Sequence, residues 1–205
     1  GTKASKFEDK KDYVTVLAPE LCRLYNVFCQ YEIPRWAKAG LGHLLWKKGS
    51  RMDPANYRLI VLQPIITKIY ERMIDLRLRD LISEGVVKVS VEQGGFMESR
   101  STYDSIFLLL SLKDVAQAKD HPLYTAFLDV RRAFDSVNHR KLLHVLKAQG
   151  VPDHWIGVIH GVLNDRVTQL GDGEIKIERG TPQGSPLSPL LFILFIDPLI
   201  QRLRE

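Results

Sequence analysis

The chain has 205 residues, 45% hydrophobic and 26% charged, enough to bury a core and in the size range of one domain or two small subdomains. A formal net charge of +5 and a pI near 9.2 favour a polyanionic partner such as nucleic acid, because Lys and Arg gain by displacing condensed counterions. The longest apolar run, residues 190–196 (LLFILFI), falls short of the roughly 20 residues a membrane span needs, and neither a signal-peptide core nor a repeat occurs, so the expectation is a soluble nuclear or cytoplasmic protein without a membrane partner.

After a polar, charged start, Val16, Leu17, Leu21, Leu24, Tyr25 and Phe28 recur at helical spacing, and the pattern stops near Pro34. Cys22 and Cys29 lie on this helix about 10 Å apart. That is too far for a disulfide, so both are expected as free thiols in a reducing compartment. Residues 36–58 mix short apolar pieces with Lys47, Lys48, Gly49, Arg51 and Asp53-Pro54, the pattern of strands around a basic turn. A helix follows over 64–83, with Gly85 as its stop, and another begins at Ser101-Thr102 and runs to about Lys119. The run 123–130 (LYTAFLDV) is apolar, aromatic and β-branched, which predicts a buried strand with Asp129 at its end. Helices at 139–149 and 153–163 are joined by Gly150-Val151-Pro152. A hairpin turning at Gly171-Asp172-Gly173 comes next, and a last helix starts at Ser188-Pro189, with Ser as cap, Pro at the first helical position and Pro198 as a kink.

Two stretches carry chemistry. In Phe127-Leu128-Asp129-Val130-Arg131-Arg132-Ala133-Phe134-Asp135 an acid ends a strand and a basic turn follows, and a rigidly held strand-end carboxylate is a hard oxygen ligand for Mg²⁺. An isolated aspartate there equally fits a turn cap or a partner for Arg131, and Asp135 fits a simple lead into the next helix. In residues 179–189 (RGTPQGSPLSP) glycines permit close backbone approach, prolines stiffen the loop, and Gln183 offers a donor and an acceptor, although such a loop could also be a rigid connection. His139, His144, His154 and His160 show no zinc-site pattern.

In order and spacing, FLDVRRAFDSV and GTPQGSPLSPLLF resemble the two adjacent palm motifs of reverse transcriptases. The upstream segments KKGSRMDPANYRLIVLQPIITKIYERMI and EQGGFMESRSTYDSIFLL resemble the fingers of the LINE-type, non-LTR retrotransposon enzymes. The resemblance runs over about residues 18–200 and implies an α+β fold, a right-hand polymerase with helices packed on a small antiparallel sheet. Residues 1–122 would form an N-terminal extension and fingers, and 123–205 the first half of the palm. By position in these motifs, Asp129 would be the catalytic metal ligand, with the Val130 carbonyl as a second contact to Mg²⁺. Lys47, Arg58, Arg132, Ala133, Phe134, Gln183 and Gly184 would meet the incoming nucleotide, Phe134 excluding a ribose 2′-OH, and Arg100 would touch the template. For Arg132, Lys48 and Arg51 a solvated basic face fits equally.

The implied reaction is RNA-directed DNA synthesis by two-metal nucleotidyl transfer, with an RNA template, a DNA primer, deoxynucleoside triphosphates and two Mg²⁺ ions as partners. Leu59 and Trp46 stand where the family usually has proline. The aromatic-Ala-Asp-Asp hairpin that bears the remaining metal-binding aspartates does not occur, and Asp197 matches a structural position before it. The expectation is therefore an inactive piece of a polymerase. The alternatives are a domesticated RNA-binding or scaffold module, placed within a larger assembly, and an RNA-directed RNA polymerase.

Overall fold

The computed structural model describes residues 5–204; the polar start is covered from residue 5, and residues 1–4 and 205 lie outside the described residues. Helix α1 (Ser5–Gln30) leads through a one-turn α2 (Arg35–Lys38) into β1 (Ala39–Trp46) and β2 (Tyr57–Leu62). The helices α3 (Ile65–Ser83) and α4 (Thr102–Ala118) come next, followed by a short α5 (Ala133–Ser136), α6 (His139–Ala148) and α7 (Asp153–Leu163). The hairpin β3 (Arg166–Leu170) and β4 (Gly173–Ile177) and the last helix α8 (Ser188–Arg204) complete the order. The free thiols, the basic hairpin, the 64–83 helix and the Gly171 turn all fall where the sequence places them.

Apolar periodicity explains the core. Tyr25 and Phe28 of α1, Tyr70, Ile74 and Leu78 of α3, Leu142 and Leu146 of α6, Ile159 and Leu163 of α7, and Leu190, Leu191 and Leu194 of α8 are all buried together. Each fully buried aliphatic side chain contributes about 1.5–3 kcal/mol over exposure, so these five helices carry most of the stability. Residues on both sides of position 122 share this one core. Tyr70 sits in it against Tyr25 and Phe28, its hydroxyl at 3.3 Å from the Cys29 thiol; burial first, and then that thiol, hold the hydroxyl well above the usual phenol range. Upstream of that buried set, Val16 and Leu17 remain exposed.

The sheet has the order β2-β1-β3-β4 and is mixed rather than antiparallel: β1 pairs antiparallel with β2 and β3 with β4, but β1 and β3 run parallel. The parallel pair arises because β1 and β3 are separated by β2 and the helices α3–α7 and meet through a long crossover.

Two further expectations fail. Residues 121–130 form no strand, and Tyr124, Phe127 and Leu128 are 89%, 85% and 77% exposed where a buried strand was expected. A strand needs a neighbour to satisfy its N–H and C=O groups. Among the described residues no strand pairs with this segment. Likewise, Ser188 does not accept from the N-terminal amides of α8; its hydroxyl donates to the Pro182 carbonyl at 2.9 Å and ties the helix to the loop before it. Helix α8 continues through Pro198, and Asp197, fully buried, accepts from the Ser90 amide at 2.9 Å and from Gln201 at 2.8 Å, a structural anchor as its position implied.

Candidate active site

A cavity of about 650 Å³ opens where three loops converge. Its wall is built from Lys47 and Arg58 of the first hairpin, the turn Asp129–Phe134 with Asp135, and the loop Pro182–Ser185. The sequence candidates Lys47, Arg58, Asp129, Val130, Arg132, Ala133, Phe134, Gln183 and Gly184 are thus brought together. Arg100 is not among the lining residues; it is exposed in the loop just before the Ser101 cap of α4.

The β1–β2 hairpin supplies two cations. Leu45 stands opposite Arg58, and the Lys47 amide donates to the Asn56 carbonyl at 2.8 Å, so the ladder extends to the base of the loop. The loop itself is closely tied down. Asp53 caps a 3-10 turn over Pro54–Asn56 by accepting from the Ala55 amide, the Asn56 side chain donates to the Ser50 carbonyl, and the Tyr57 hydroxyl donates to Arg51. Trp46 fastens the other side, its indole N–H donating to Gly49 while the Arg51 guanidinium lies 5.1 Å over its ring. Side-chain pinning here does the work that proline's fixed φ would do.

The Asp129 turn is sharp because Arg132 adopts a left-handed conformation (φ 51°, ψ 47°), an uncommon state for a residue with a Cβ, before α5 begins. Such outliers persist where the surroundings over-determine them. Here the surroundings are the second loop: the Thr181 amide donates to Phe134 at 2.9 Å, the Gly180 amide to Val137 at 2.7 Å, and the Gly180 carbonyl meets His139 Nε2 at 2.8 Å. Phe134 also packs its ring 5.3 Å from Phe192 of α8. Asp129 is exposed, and among the described residues it pairs with no cation and caps no turn, so neither ordinary role of a strand-end aspartate is filled.

Gly184 shows why the loop needs its glycines. Its φ is +117°, and a Cβ there would stand 2.8 Å from the Val61 carbonyl oxygen, while the Val61 amide donates to the Gln183 carbonyl at 3.1 Å. The loop is docked onto β2 by backbone at van der Waals limit. Gly184→Ala is expected to destabilise the protein by about 1–3 kcal/mol, as read by a urea midpoint. An unchanged midpoint would show that this contact carries no weight.

The sequence reading left Asp135 without a role, but it lines the cavity and its carboxylate accepts from the Gln183 carboxamide at 3.3 Å. The two are 48 positions apart, and no periodicity links them.

The family model described as "Reverse transcriptase (RNA-dependent DNA polymerase)" matches residues 46–205, which include every residue of this cavity. The chain belongs to that family. Reverse transcriptases act on nucleic-acid templates and generally use divalent metal ions. The relatives of this reverse transcriptase chain are those of non-LTR retrotransposons. It is 31% identical to the Pol polyprotein of retrotransposable element R2 of Nasonia vitripennis over 79% of this chain and 16% of that protein. It is 30% identical to the R2 polyprotein of Popillia japonica over 95% of this chain and 28% of that protein. With the probable RNA-directed DNA polymerase from transposon X-element of Drosophila melanogaster it shares 31% identity over 92% of this chain and 21% of that protein. The chain therefore spans less than a third of each of these relatives. Among solved structures, the partial Cas6-RT-Cas1–Cas2 complex matches 96% of this chain and 30% of its own chain, at 22% identity and a TM-score of 0.48.

Mg²⁺ demands near-octahedral oxygen coordination. The cavity offers two carboxylates, Asp129 and Asp135, and the second is engaged by Gln183. Among the described residues no group of three or more His, Cys, Asp or Glu comes together. The residues present do not by themselves make a site for two ions.

Proposed function

We propose that the protein to which this chain belongs is an RNA-directed DNA polymerase of a non-LTR retrotransposon, which extends a DNA primer on an RNA template with deoxynucleoside triphosphates. The observation that supports this reading is the convergence of four cations, Lys47, Arg58, Arg131 and Arg132, on one cavity with Asp129 and the Gln183 amide. A triphosphate is a dense anion, and a concave wall of cations raises its local concentration.

In this reading residues 1–122 serve as N-terminal extension and fingers and 123–205 as the first half of the palm. Lys47 and Arg58 neutralise the phosphates, the Arg132–Ala133 turn faces them, Phe134 lies under the sugar, and Arg100 contacts the template outside the cavity. Asp129 and the Val130 carbonyl contribute part of a Mg²⁺ site whose other ligands come from residues outside this chain. The two free thiols fit a reducing nuclear or cytoplasmic location.

The test is primer extension on an RNA template by the intact protein. Extension is expected there and none from the 205 residues alone; an intact protein that binds primer–template yet incorporates nothing would leave a non-catalytic RNA-binding or scaffold module as the better reading. That second reading draws on the incomplete donor set for metal. Phe134→Val is expected to relax exclusion of ribonucleotides by roughly 10- to 100-fold, since a pocket discriminates small groups by about this factor. Ribonucleotide and deoxynucleotide incorporation compared on one template gives the ratio, and an unchanged ratio would remove Phe134 from this role.

A further inference from the structure

His139, the first residue of α6, reaches across to the proline-stiffened loop, where its Nε2 lies 2.8 Å from the Gly180 carbonyl oxygen. A carbonyl oxygen only accepts, so Nε2 carries a proton and donates it. On the same peptide unit the Thr181 amide donates to the Phe134 carbonyl at 2.9 Å. The C=O and N–H of one trans peptide point in opposite directions from a single plane, so the Gly180–Thr181 unit is gripped from both sides. Turning that plane would break both bonds.

The grip matters because of the residue it acts on. Gly180 is buried with a φ of +88°, and a Cβ there would stand 2.9 Å from the Asp135 Cα, so the position requires glycine. Glycine leaves the peptide after it the widest choice of orientations. The segment that follows carries Gln183 and Gly184 to the cavity wall. Its first residues supply little restraint of their own: the Thr181 hydroxyl is buried without a hydrogen-bond partner among the described residues, and Pro182 has no N–H to donate. His139, in contrast, stands on a fixed base. Asn138 caps α6 by accepting from the Lys141 amide at 3.0 Å, and Leu142 and Leu146 of that helix are fully buried in the core.

We infer that His139 is a positioning residue: it clamps the Gly180–Thr181 peptide and so sets the path by which the loop brings Gln183 and Gly184 to the cavity. His139 itself is not among the residues that line that cavity. This inference rests on the proposed polymerase function for the ligand it affects, whereas the clamp belongs to the fold alone.

Two substitutions in the intact protein separate the N–H donor from the imidazole ring. Glutamine places an N–H₂ the same number of bonds from Cα as histidine Nε2, and asparagine stops one bond short. In primer extension on an RNA template, His139→Asn should raise the KM for deoxynucleoside triphosphates by about 3- to 10-fold, the worth of one hydrogen bond. The value of kcat should stay nearly unchanged, because a loosened loop lowers the fraction of binding-competent protein and not the rate once nucleotide is bound. His139→Gln should keep KM close to that of the unmodified protein. Hydrogen exchange at the Thr181 amide should quicken in His139→Asn but not in His139→Gln, while the amides of α6 keep their rates in both and so report an intact fold. In a Gln183→Ala background His139→Asn should have little further effect on KM, as action through the loop requires. A raised KM in both variants or in neither, an unchanged Thr181 exchange rate in His139→Asn, or a full effect without Gln183 would each overturn the role. An unmodified protein that extends no primer would instead refute the polymerase reading, and the exchange rates, which need no nucleotide, would still decide the clamp.

Discussion

Replacing Asp129 by Asn in the intact protein is expected to lower nucleotide incorporation by about three orders of magnitude or more, since several kcal/mol of charge stabilisation would be lost and each 1.36 kcal/mol is tenfold in rate. The substitution is nearly isosteric, which separates charge from shape. Asp129 has no ion-pair partner among the described residues and stands exposed on a wall that also carries Lys47, Arg58, Arg131 and Arg132. Removing its charge should therefore leave the fold almost unchanged, because no internal contact depends on it. Stability of the variant, read from a thermal melt, should match the unmodified protein, while primer extension should fall to background. Retained extension would show that the aspartate only ends a segment. Lost extension with an equal loss of stability would show that it acts through the fold.

The elements legible in the sequence were those defined by short-range chemistry. The helical spacing of Tyr25 and Phe28, the glycine turn at 171, the Ser101 cap before α4 and the proline-stiffened loop at 182–189 each depend on residues within a few positions of one another, and the structure places them as expected. At Ser101 the cap is completed by Asp104, whose carboxylate accepts the Ser101 amide at 2.7 Å. What could not be read was any feature whose partner is remote. The run 123–130 has strand composition, but composition does not supply a neighbouring strand, and the segment stays exposed. The parallel pairing of β1 with β3 depends on the crossover between them. The assembly of the cavity was legible only through motif order. Periodicity says nothing about Asp135 meeting Gln183, or Val61 meeting the Gln183 carbonyl.

The same remoteness marks the strongest stability prediction. Glu71 on α3 is fully buried, and its Oε1 accepts from Arg166 of β3 and from the Gln63 side chain, each at 2.9 Å. The pair is separated by 95 positions, and the Arg166 side chain is only 5% exposed. It joins α3 of the helical core to β3 of the sheet, and through Gln63 it reaches the end of β2, the strand that carries Arg58 to the cavity. Arg166→Met is expected to destabilise the protein by about 3–5 kcal/mol, because a buried carboxylate loses its counter-charge and its desolvation is no longer offset. Adding Glu71→Leu should recover most of that loss, since an apolar pair of similar volume needs neither charge nor hydrogen bonds. The recovery distinguishes charge burial from lost packing. If the single change acted only by removing contacts, the double variant would be less stable still. Urea titrations of the unmodified, single and double variants measure the coupling directly. A double variant no more stable than Arg166→Met would refute the ion pair as the cause. The Arg166→Met variant should also bind nucleotide more weakly, because Gln63 directly follows β2 and its amide loses a fixed partner when Glu71 shifts.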